Sequence, residues 1–322
     1  MSARGEFRVA AVQETPAYLD REGTLEIVAD HIARAGADGA DLVVFPESFV
    51  PGYPDFAWRQ NPFSDSEWYA RFQDQAVEIP GPDLDQACDA AAAAGVWVAL
   101  GVTERTRSGT LYNAVVYIDD HGEIAGLHRK LVPTGAERLV HAHGQGPLLT
   151  VVDIGGVRVG SLICWEMYMP LARAAHYEQG IDVLLSPTWD NSDEWLPTLR
   201  HTAKEGQLFV VGVSAFLRGC DVPRDLPGAE DIYGDADDFM SRGNTTIVAP
   251  GGEVLEGVVD VGSRPPERQP VTLRLSELNR ILGIEIPADF VPQTLAQLGL
   301  DIQEQSSERV VAIPPAWRAD LT

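Results

Sequence analysis

The sequence predicts an α/β protein in which helices cover mixed β-sheets. Apolar, strand-like runs alternate with segments of helical spacing in the first part of the chain. Farther along, apolar runs are joined by glycine-rich turns, which indicate hairpins. Alternation followed by hairpins favours mixed sheets over a purely parallel one. The chain has 322 residues and is 45% hydrophobic, enough for one large domain or for a large domain with a small one.

Short apolar runs rich in valine, isoleucine and leucine predict the strands. In chain order we expect them at 7–13, 42–45, 96–102, 111–118, 124–129, 148–154, 157–163, 183–186, 208–214, 245–249 and 254–259. Gly155-Gly156 lies between two of these runs and is expected to turn a hairpin. Pro250-Gly251-Gly252 marks a second turn between the last two runs.

Apolar residues at helical spacing predict the helices. In chain order we expect them at 20–37, 66–77, 83–94, 171–179 and 195–205. Asp83 is expected to cap the third of these, an alanine-rich helix that reaches Ala94. Two stretches are predicted loops: 49–63, rich in aromatic residues, proline and glycine, and 219–238, which carries seven acidic residues and one arginine.

Composition and charge exclude several classes of partner and cofactor. The net charge of −24 argues against binding to nucleic acid or to an anionic membrane. The sequence has no apolar run long enough to span a bilayer, and its beginning does not read as a signal peptide. Its three cysteines are far apart, so we expect neither a disulfide framework nor a zinc site. We expect the protein to be located in a reducing cytoplasm. Neither a GxGxxG motif nor a P-loop is present, so no nucleotide cofactor is expected.

Cys164 is the strongest candidate for a reactive side chain. The apolar run 157–163 stops at this thiol, and the residues that follow have helical spacing. The thiol is therefore expected at a strand-to-helix turn, where a helix N-terminus favours the thiolate. Burial as a small apolar side chain remains open for Cys164 and is the favoured interpretation for Cys88, while Cys220 has no assigned role.

Two further polar residues end apolar strands. Glu47 follows LVVFP and Lys130 follows EIAGLHR, and the chain has only one other lysine, Lys204. With Cys164 they offer a base, a cation and a nucleophile, which suits attack on a polarised carbon and hydrolysis of the thiol adduct. Glu47 could instead cap a segment or pair with an arginine, and Lys130 could lie on the surface.

Histidines at 128, 141 and 143 raise the question of a metal site. The first belongs to a strand end, and the other two lie in the loop HAHGQG. No fourth ligand is evident, so no metal is expected.

The chain resembles the nitrilase superfamily, and specifically its true nitrilase branch. The segments LVVFPESFVPGYP, HRKLVPTGAERLV and LICWEMYMPLAR, among others, match in the family's order and span residues 7 to about 260. The resemblance implies a four-layer αββα sandwich and a homodimer or larger homo-oligomer. It also implies a catalytic triad of Glu47, Lys130 and Cys164, with Glu137 as the second glutamate of the site. The implied reaction converts a small-molecule nitrile to a carboxylic acid and ammonia through thioimidate and thioester intermediates.

Three aromatic residues are candidates for the substrate pocket, although core packing would explain each of them equally well: Tyr53, Trp165 and Trp189. Two departures from the family pattern lie near this pocket. Met167 stands where nitrilases usually carry asparagine, and HAHGQG replaces the more usual WGxGDG. These departures keep open an amidase, or an enzyme that releases amide from a nitrile.

The C-terminal part of the chain departs further. Residues from about 268 to 322 resemble a small winged-helix-like module of the phenylalanyl-tRNA synthetase β subunit, with helices expected at 275–282 and 288–298 and a β pair at 300–305 and 310–313. We therefore expect a hydrolase domain at 1–262 and a small α/β appendage at 263–322. The appendage carries six arginines and eight acidic residues, so packing or interaction is favoured over RNA binding. Because the family's usual C-terminal elements are absent, a non-catalytic scaffold is a further alternative.

Overall fold

A computed structural model describes the chain over residues 6–63, 65–234, 239–255, 270–283, 286–298 and 300–314. The chain divides into two compact units, Met1–Ser263 and Arg264–Thr322. No helix in the described ranges is long and apolar enough to cross a bilayer.

The described part of the larger unit is built from short strands. They are β1 (Val9–Ala11), β2 (Leu42–Val44), β3 (Trp97–Arg105), β4 (Leu111–Ile118), β5 (Ile124–Arg129), β6 (Val151–Ile154), β7 (Val157–Ser161), β8 (Val183–Thr188), β9 (Phe209–Ser214), β10 (Phe216–Arg218), β11 (Phe239–Arg242) and β12 (Thr246–Val248).

Helices connect these strands. The α-helices are α1 (Arg21–Ala37), α2 (Ser66–Gln75), α3 (Asp85–Ala94), α4 (Pro170–Glu178), α5 (Trp195–Gly206) and α6 (Ala229–Tyr233). Short 3₁₀ helices occur at Asp55–Trp58, Pro82–Leu84, Gly135–Leu139, Cys164–Tyr168 and Gly219–Asp221.

Ten of the strands form two mixed sheets of five. The first has the order β1-β2-β3-β4-β5, and the second has the order β12-β9-β8-β7-β6. Each sheet has three parallel strands, β1-β2-β3 or β7-β8-β9, flanked by antiparallel partners. The predicted mixed sheets are therefore confirmed, as is the hairpin at Gly155-Gly156, which joins β6 to β7.

Three apolar cores separate four layers. Between the sheets, the inward side chains of β2, β3 and β4 pack against those of β6, β7, β8 and β9. The other face of the first sheet packs against α1 and α3, and the other face of the second sheet packs against α4 and α5. The layers follow in the order α, β, β, α, which confirms the sandwich that the family resemblance implies.

Local details differ from the sequence prediction in several places. Asp83 does not cap the alanine-rich helix, because its carboxylate accepts the backbone N–H of Glu78 instead and α3 begins after Leu84. The acidic stretch 219–238 is not all loop, since it contains α6 and a 3₁₀ turn, while 235–238 lie outside the described residues. The antiparallel pair β10–β11 was not predicted.

The smaller unit is a three-stranded antiparallel sheet with two helices. Its elements are β13 (Val271–Arg274), α7 (Leu275–Leu282), α8 (Phe290–Gln297), β14 (Asp301–Gln305) and β15 (Arg309–Ile313). The strand order is β13-β15-β14, around a small core of Leu275, Val291 and Val310. Both predicted helices and the predicted β pair are confirmed, whereas β13 was not predicted.

An ion pair joins α4 to α5 and reaches the turn that carries the thiol. Arg173 donates to Glu205 from Nε at 2.8 Å and from Nη2 at 3.2 Å, and its Nη1 donates to the Met167 carbonyl at 2.5 Å. Hydrogen bonds from Arg173, and then from Tyr177, lower the pKa of Glu205 to about 2. A bidentate pair of this kind fixes the separation of the two helices.

Glu205→Gln should lower the free energy of unfolding by about 1 kcal/mol at neutral pH, as expected for a partly exposed ion pair. The folded-state pKa lies below the ordinary value of 4.5, so the stabilisation is complete above that value and is lost as the pH falls toward about 2. Urea unfolding should show a smaller difference between wild type and variant at about pH 3.5 than at about pH 7. An equal or larger difference at the lower pH would contradict this assignment.

Candidate active site

The predicted site residues are contributed by both sheets and meet in the interior. Glu47 follows β2, Lys130 directly follows β5, and Glu137 lies in the 3₁₀ helix Gly135–Leu139. Cys164 opens the 3₁₀ helix that follows β7. All four are buried, with exposed fractions between 0% and 5%. The strand-end pattern in the sequence thus identified residues that the fold brings into one region.

The Lys130 ammonium joins the two glutamates. Its Nζ lies 2.7 Å from Oε1 of Glu47 and 2.7 Å from Oε2 of Glu137. Burial alone would lower the pKa of Lys130, but the two carboxylates raise it well above its ordinary value. The side chain is therefore a fixed cation that neither carboxylate can deprotonate at neutral pH.

Glu137 is held by four hydrogen-bond donors. Its Oε2 accepts from Lys130 and from the Thr134 backbone N–H at 2.8 Å. Its Oε1 accepts from Asn113 Nδ2 at 2.8 Å and from His141 Nδ1 at 3.0 Å. Burial would raise the pKa of Glu137, but Lys130 and His141 hold it well below its ordinary value. A carboxylate with these partners has little capacity left to take a proton from another group.

Glu47 is bonded through only one of its oxygens. Oε1 accepts from Asn113 Nδ2 at 2.8 Å and from Lys130, whereas the buried Oε2 has no hydrogen-bond partner among the described residues. Burial raises the pKa of Glu47 above its ordinary value, with Lys130 opposing the shift and Glu137 adding to it. Of the two carboxylates, Glu47 is therefore the one with an oxygen left to accept a proton.

The backbone at Cys164 has an unusual conformation. Its φ of 55° lies in the left-handed region, which costs a non-glycine residue about 1–3 kcal/mol. Burial and the Glu47 carboxylate raise the pKa of the thiol well above its ordinary value, with Lys130 and hydrogen bonds from Thr188 and Trp189 opposing the shift. These influences favour the protonated thiol and oppose the thiolate that we expected at a helix N-terminus. The thiol needs a base.

A third buried carboxylate, to which the sequence analysis assigned no role, holds the site together. Glu166 accepts from the backbone N–H of Ile163 at 2.5 Å and from that of Leu131 at 2.7 Å. It also accepts from Nε2 of His128 at 2.9 Å, while Nδ1 of His128 accepts the Leu149 N–H at 3.0 Å. Ile163 precedes the thiol and Leu131 follows the lysine. One side chain therefore ties together the two chain segments that carry Cys164 and Lys130.

The three predicted pocket residues do not share one environment. Tyr53 is buried and stacks on Trp189, with ring centroids 5.0 Å apart. Burial, followed by the charges of Glu137 and Glu47, raises the pKa of Tyr53 well above its ordinary value, so this ring lies next to the site. Trp165 is 51% exposed, and its indole N–H donates to Asp190 at 2.9 Å.

The histidines have structural partners. His128 bonds to Glu166 and His141 bonds to Glu137, whereas His143 is exposed. The described residues contain no group of three or more His, Cys, Asp or Glu side chains arranged to hold a metal ion. The sequence analysis did not identify Asn113 either. A polar amide among the apolar and aromatic residues of the buried strand β4 is a signal that could have identified it.

Comparison with known families gives two matches. The carbon-nitrogen hydrolase family model matches residues 8–263, and the tRNA synthetase B5 domain model matches residues 271–322. The first spans most of the chain, and the second falls within the smaller unit.

Curated relatives of the chain are nitrilases. An aliphatic nitrilase of Sinorhizobium fredii is 40% identical over 258 residues, covering 78% of this chain and 82% of the relative. A bifunctional nitrilase/nitrile hydratase of Nicotiana tabacum is 35% identical over 269 residues, covering 80% and 75%. Nitrilase 1 of Arabidopsis thaliana is 34% identical over 259 residues, covering 78% and 74%.

Solved structures with the same fold include an amidase of the nitrilase superfamily from Nesterenkonia. One mutant of it superposes with a TM-score of 0.58 at 20% identity, covering 79% of this chain and 87% of the amidase. Another, in which acrylamide has added to the active-site cysteine, has a TM-score of 0.57 at 20% identity and covers 78% and 88%. At this identity the likeness establishes the fold.

Glu166→Gln should destabilise the larger unit by about 2–4 kcal/mol, because an amide presents N–H groups to donors that now meet a carboxylate. Turnover should fall as well, since the segments bearing Cys164 and Lys130 lose their common anchor. Chemical unfolding measures the first effect. Glu178→Gln, at an exposed position of α4, is the matched control and should change neither property. A Glu166→Gln protein as stable as wild type would contradict the anchoring role.

Proposed function

Because the chain belongs to the carbon-nitrogen hydrolase family, we propose that it hydrolyses an organic nitrile to a carboxylic acid and ammonia. The observation that carries the proposal is the unequal bonding of the two carboxylates around Lys130. Glu137 is saturated by four donors, whereas Glu47 keeps one oxygen without a partner among the described residues, near a protonated thiol. This arrangement supports Glu47 as the base and Cys164 as the nucleophile.

The first step forms the covalent bond. Glu47 takes the thiol proton as Cys164 Sγ bonds to the nitrile carbon, and one π bond of the nitrile breaks. The electron pair moves to nitrogen, which receives the proton from Glu47 and becomes the thioimidate N–H. Lys130, together with the backbone N–H of Trp165, would stabilise the negative charge that develops on nitrogen. The fixed charge of Lys130 supports this role, since the cation is already in place before the substrate arrives.

Water addition then gives a tetrahedral intermediate that can break in two ways. If the carbon–nitrogen bond breaks, the hydroxyl proton passes through Glu47 to nitrogen, ammonia leaves, and the hydroxyl oxygen becomes the carbonyl oxygen of a thioester. Glu47 then activates a second water, a role that requires one carboxylate oxygen of Glu47 to be free. This water hydrolyses the thioester to the acid and the thiol. If the carbon–sulfur bond breaks instead, the amide is released. Glu137 orients Lys130 throughout and is not required to accept a proton.

Release of amide is the second candidate outcome. The departure that raises this alternative is the replacement of the usual WGxGDG by HAHGQG in the loop that follows Glu137. A relative named as a bifunctional nitrilase/nitrile hydratase supports this alternative at the family level. Hydrolysis of an amide is a separate alternative, raised by the amidase that shares the fold. Assaying ammonia and amide in parallel distinguishes the two outcomes.

The substrate is proposed to lie against the stacked pair of the buried Tyr53 and the partly buried Trp189, because Tyr53 lies next to the charged residues. Trp165 enters the proposal through its backbone N–H, since its side chain is half exposed and bonded to Asp190. No cofactor or metal is part of the proposed reaction.

We also propose the domain organisation, the assembly and the location. Residues 1–262 would form the hydrolase domain and 263–322 an appended module without nucleic-acid binding, supported by the division of the chain after Ser263 and by the acidic composition.

A homodimer or larger oligomer is supported by the apolar groove that Tyr168 and the 86% exposed Leu171 border. The spacing of the three cysteines supports a reducing, cytoplasmic location.

Glu47→Gln should lower kcat for nitrile hydrolysis by at least about 100-fold, the typical contribution of a general base. Cys164→Ala should abolish product formation, because no covalent intermediate can form. Ammonia and amide are measured with a panel of aliphatic and aryl-aliphatic nitriles. Cys88→Ala, at a half-buried cysteine on α3, is the matched control and should keep wild-type turnover. Wild-type rates in Glu47→Gln would remove Glu47 from the mechanism, and a folded wild type without turnover would favour the scaffold alternative.

A further inference from the structure

His141 uses both of its ring nitrogens inside the protein. Its side chain is fully buried in the described structure. Nδ1 lies 3.0 Å from Oε1 of Glu137, and Nε2 lies 3.1 Å from Oγ1 of Thr103. Since a carboxylate can only accept, the proton on Nδ1 is donated to Glu137. Packing against the Phe72 ring, 5.7 Å away between centroids, fixes the plane of the imidazole.

The second nitrogen faces a chain of hydroxyl groups that can run in either direction. Thr103 Oγ1 lies 2.7 Å from Ser48 Oγ, and Ser48 Oγ lies 3.4 Å from the Gly52 carbonyl oxygen. A neutral His141 accepts at Nε2 from Thr103, which in turn accepts from Ser48. A protonated His141 donates to Thr103, which donates to Ser48, which donates to the Gly52 carbonyl. This series of hydrogen bonds ends on an acceptor, the Gly52 carbonyl oxygen, so it can satisfy the charged as well as the neutral imidazole of His141.

The charges around His141 favour a positive ring. Glu137 from the 3₁₀ helix, Glu47 from the end of β2 and Lys130 from the end of β5 face this region, two carboxylates against one ammonium. Thr103 on β3 and Phe72 on α2 contribute no charge. A buried cluster with one uncompensated negative charge is costly, and a proton on His141 would balance it.

This inference rests on the proposed nitrile hydrolysis. We propose that His141 is a positioning residue that holds Glu137 and carries the balancing positive charge, and that it thereby favours release of acid over release of amide. Departure of ammonia requires a proton on nitrogen of the tetrahedral intermediate, whereas departure of the Cys164 thiolate does not. A proton stored on His141 keeps Glu137 ionised and leaves the Glu47 proton available for that nitrogen. Without the charge, the carbon–sulfur bond breaks more often.

His141→Asn is the decisive variant, because asparagine can still donate to Glu137 but cannot carry a charge. Wild type and variant are incubated with an aliphatic nitrile, and ammonia and amide are measured between about pH 5 and pH 8. In the wild type, the ratio of amide to acid should rise with pH. In His141→Asn the ratio should be raised about tenfold at low pH, because the variant keeps the hydrogen bond to Glu137 but lacks the balancing charge, and it should no longer change across the range.

His143→Asn is the matched control, since His143 is an exposed histidine in the same loop, and it should reproduce the wild-type profile. Thr103→Val keeps His141 on Glu137 but removes the acceptor that the charged ring needs, so it should shift the ratio in the same direction. This second variant decides the matter if His141→Asn does not fold. Wild-type turnover with an unchanged product ratio and pH profile in the folded variants would overturn the inference alone. Absence of any Cys164-dependent turnover in the wild type would overturn the proposed function and this inference with it.

Discussion

The buried ammonium of Lys130 is the constraint on which the rest of the site depends. It lies between two carboxylates that would otherwise repel each other in a region without solvent, and both of its short contacts measure 2.7 Å. Arginine could not take its place easily, because a guanidinium needs acceptors for five N–H groups spread over a plane, whereas an ammonium is a compact charge. In a chain with two lysines and 22 arginines, this is a physical reason for a lysine at position 130.

The two sheets cooperate to create the inequality between the carboxylates. The first sheet supplies Glu47, Asn113 and Lys130, and the second supplies the turn that carries Cys164. Because Asn113 donates to both carboxylates and Glu137 receives two further donors of its own, the unfilled lone pairs lie on Glu47. Glu166 then fixes the distance between the sheets at this point by bonding to the backbone on both sides. The left-handed backbone conformation of Cys164 is strained, and the hydrogen bonds of Glu166 offset this cost.

Much of this arrangement could be predicted from the sequence, and the reasons for the failures are physical. The three strand-end residues were found because a polar side chain that stops an apolar run marks the rim of a sheet. The prediction that Asp83 caps the alanine-rich helix failed because a carboxylate before a helix can accept from any nearby N–H. Here it accepts from the backbone N–H of Glu78. The local pattern at Cys164 indicated a helix N-terminus, but it could not show the burial and the neighbouring Glu47 carboxylate that raise the pKa of the thiol. Glu166, Asn113 and the partnership of His141 depend on contacts between distant segments, which no local pattern contains.

The central claim is that Cys164 bonds covalently to a nitrile with Glu47 as its base. Mass spectrometry of the protein mixed with a slowly turned over nitrile tests it most directly. The account predicts an adduct equal to the whole mass of the nitrile on the peptide that contains Cys164, followed by its conversion to the acyl adduct as ammonia appears. The first adduct should form far more slowly in Glu47→Gln and should be absent in Cys164→Ala. Turnover of the nitrile with no adduct at Cys164, or with an adduct on another residue, would contradict the account.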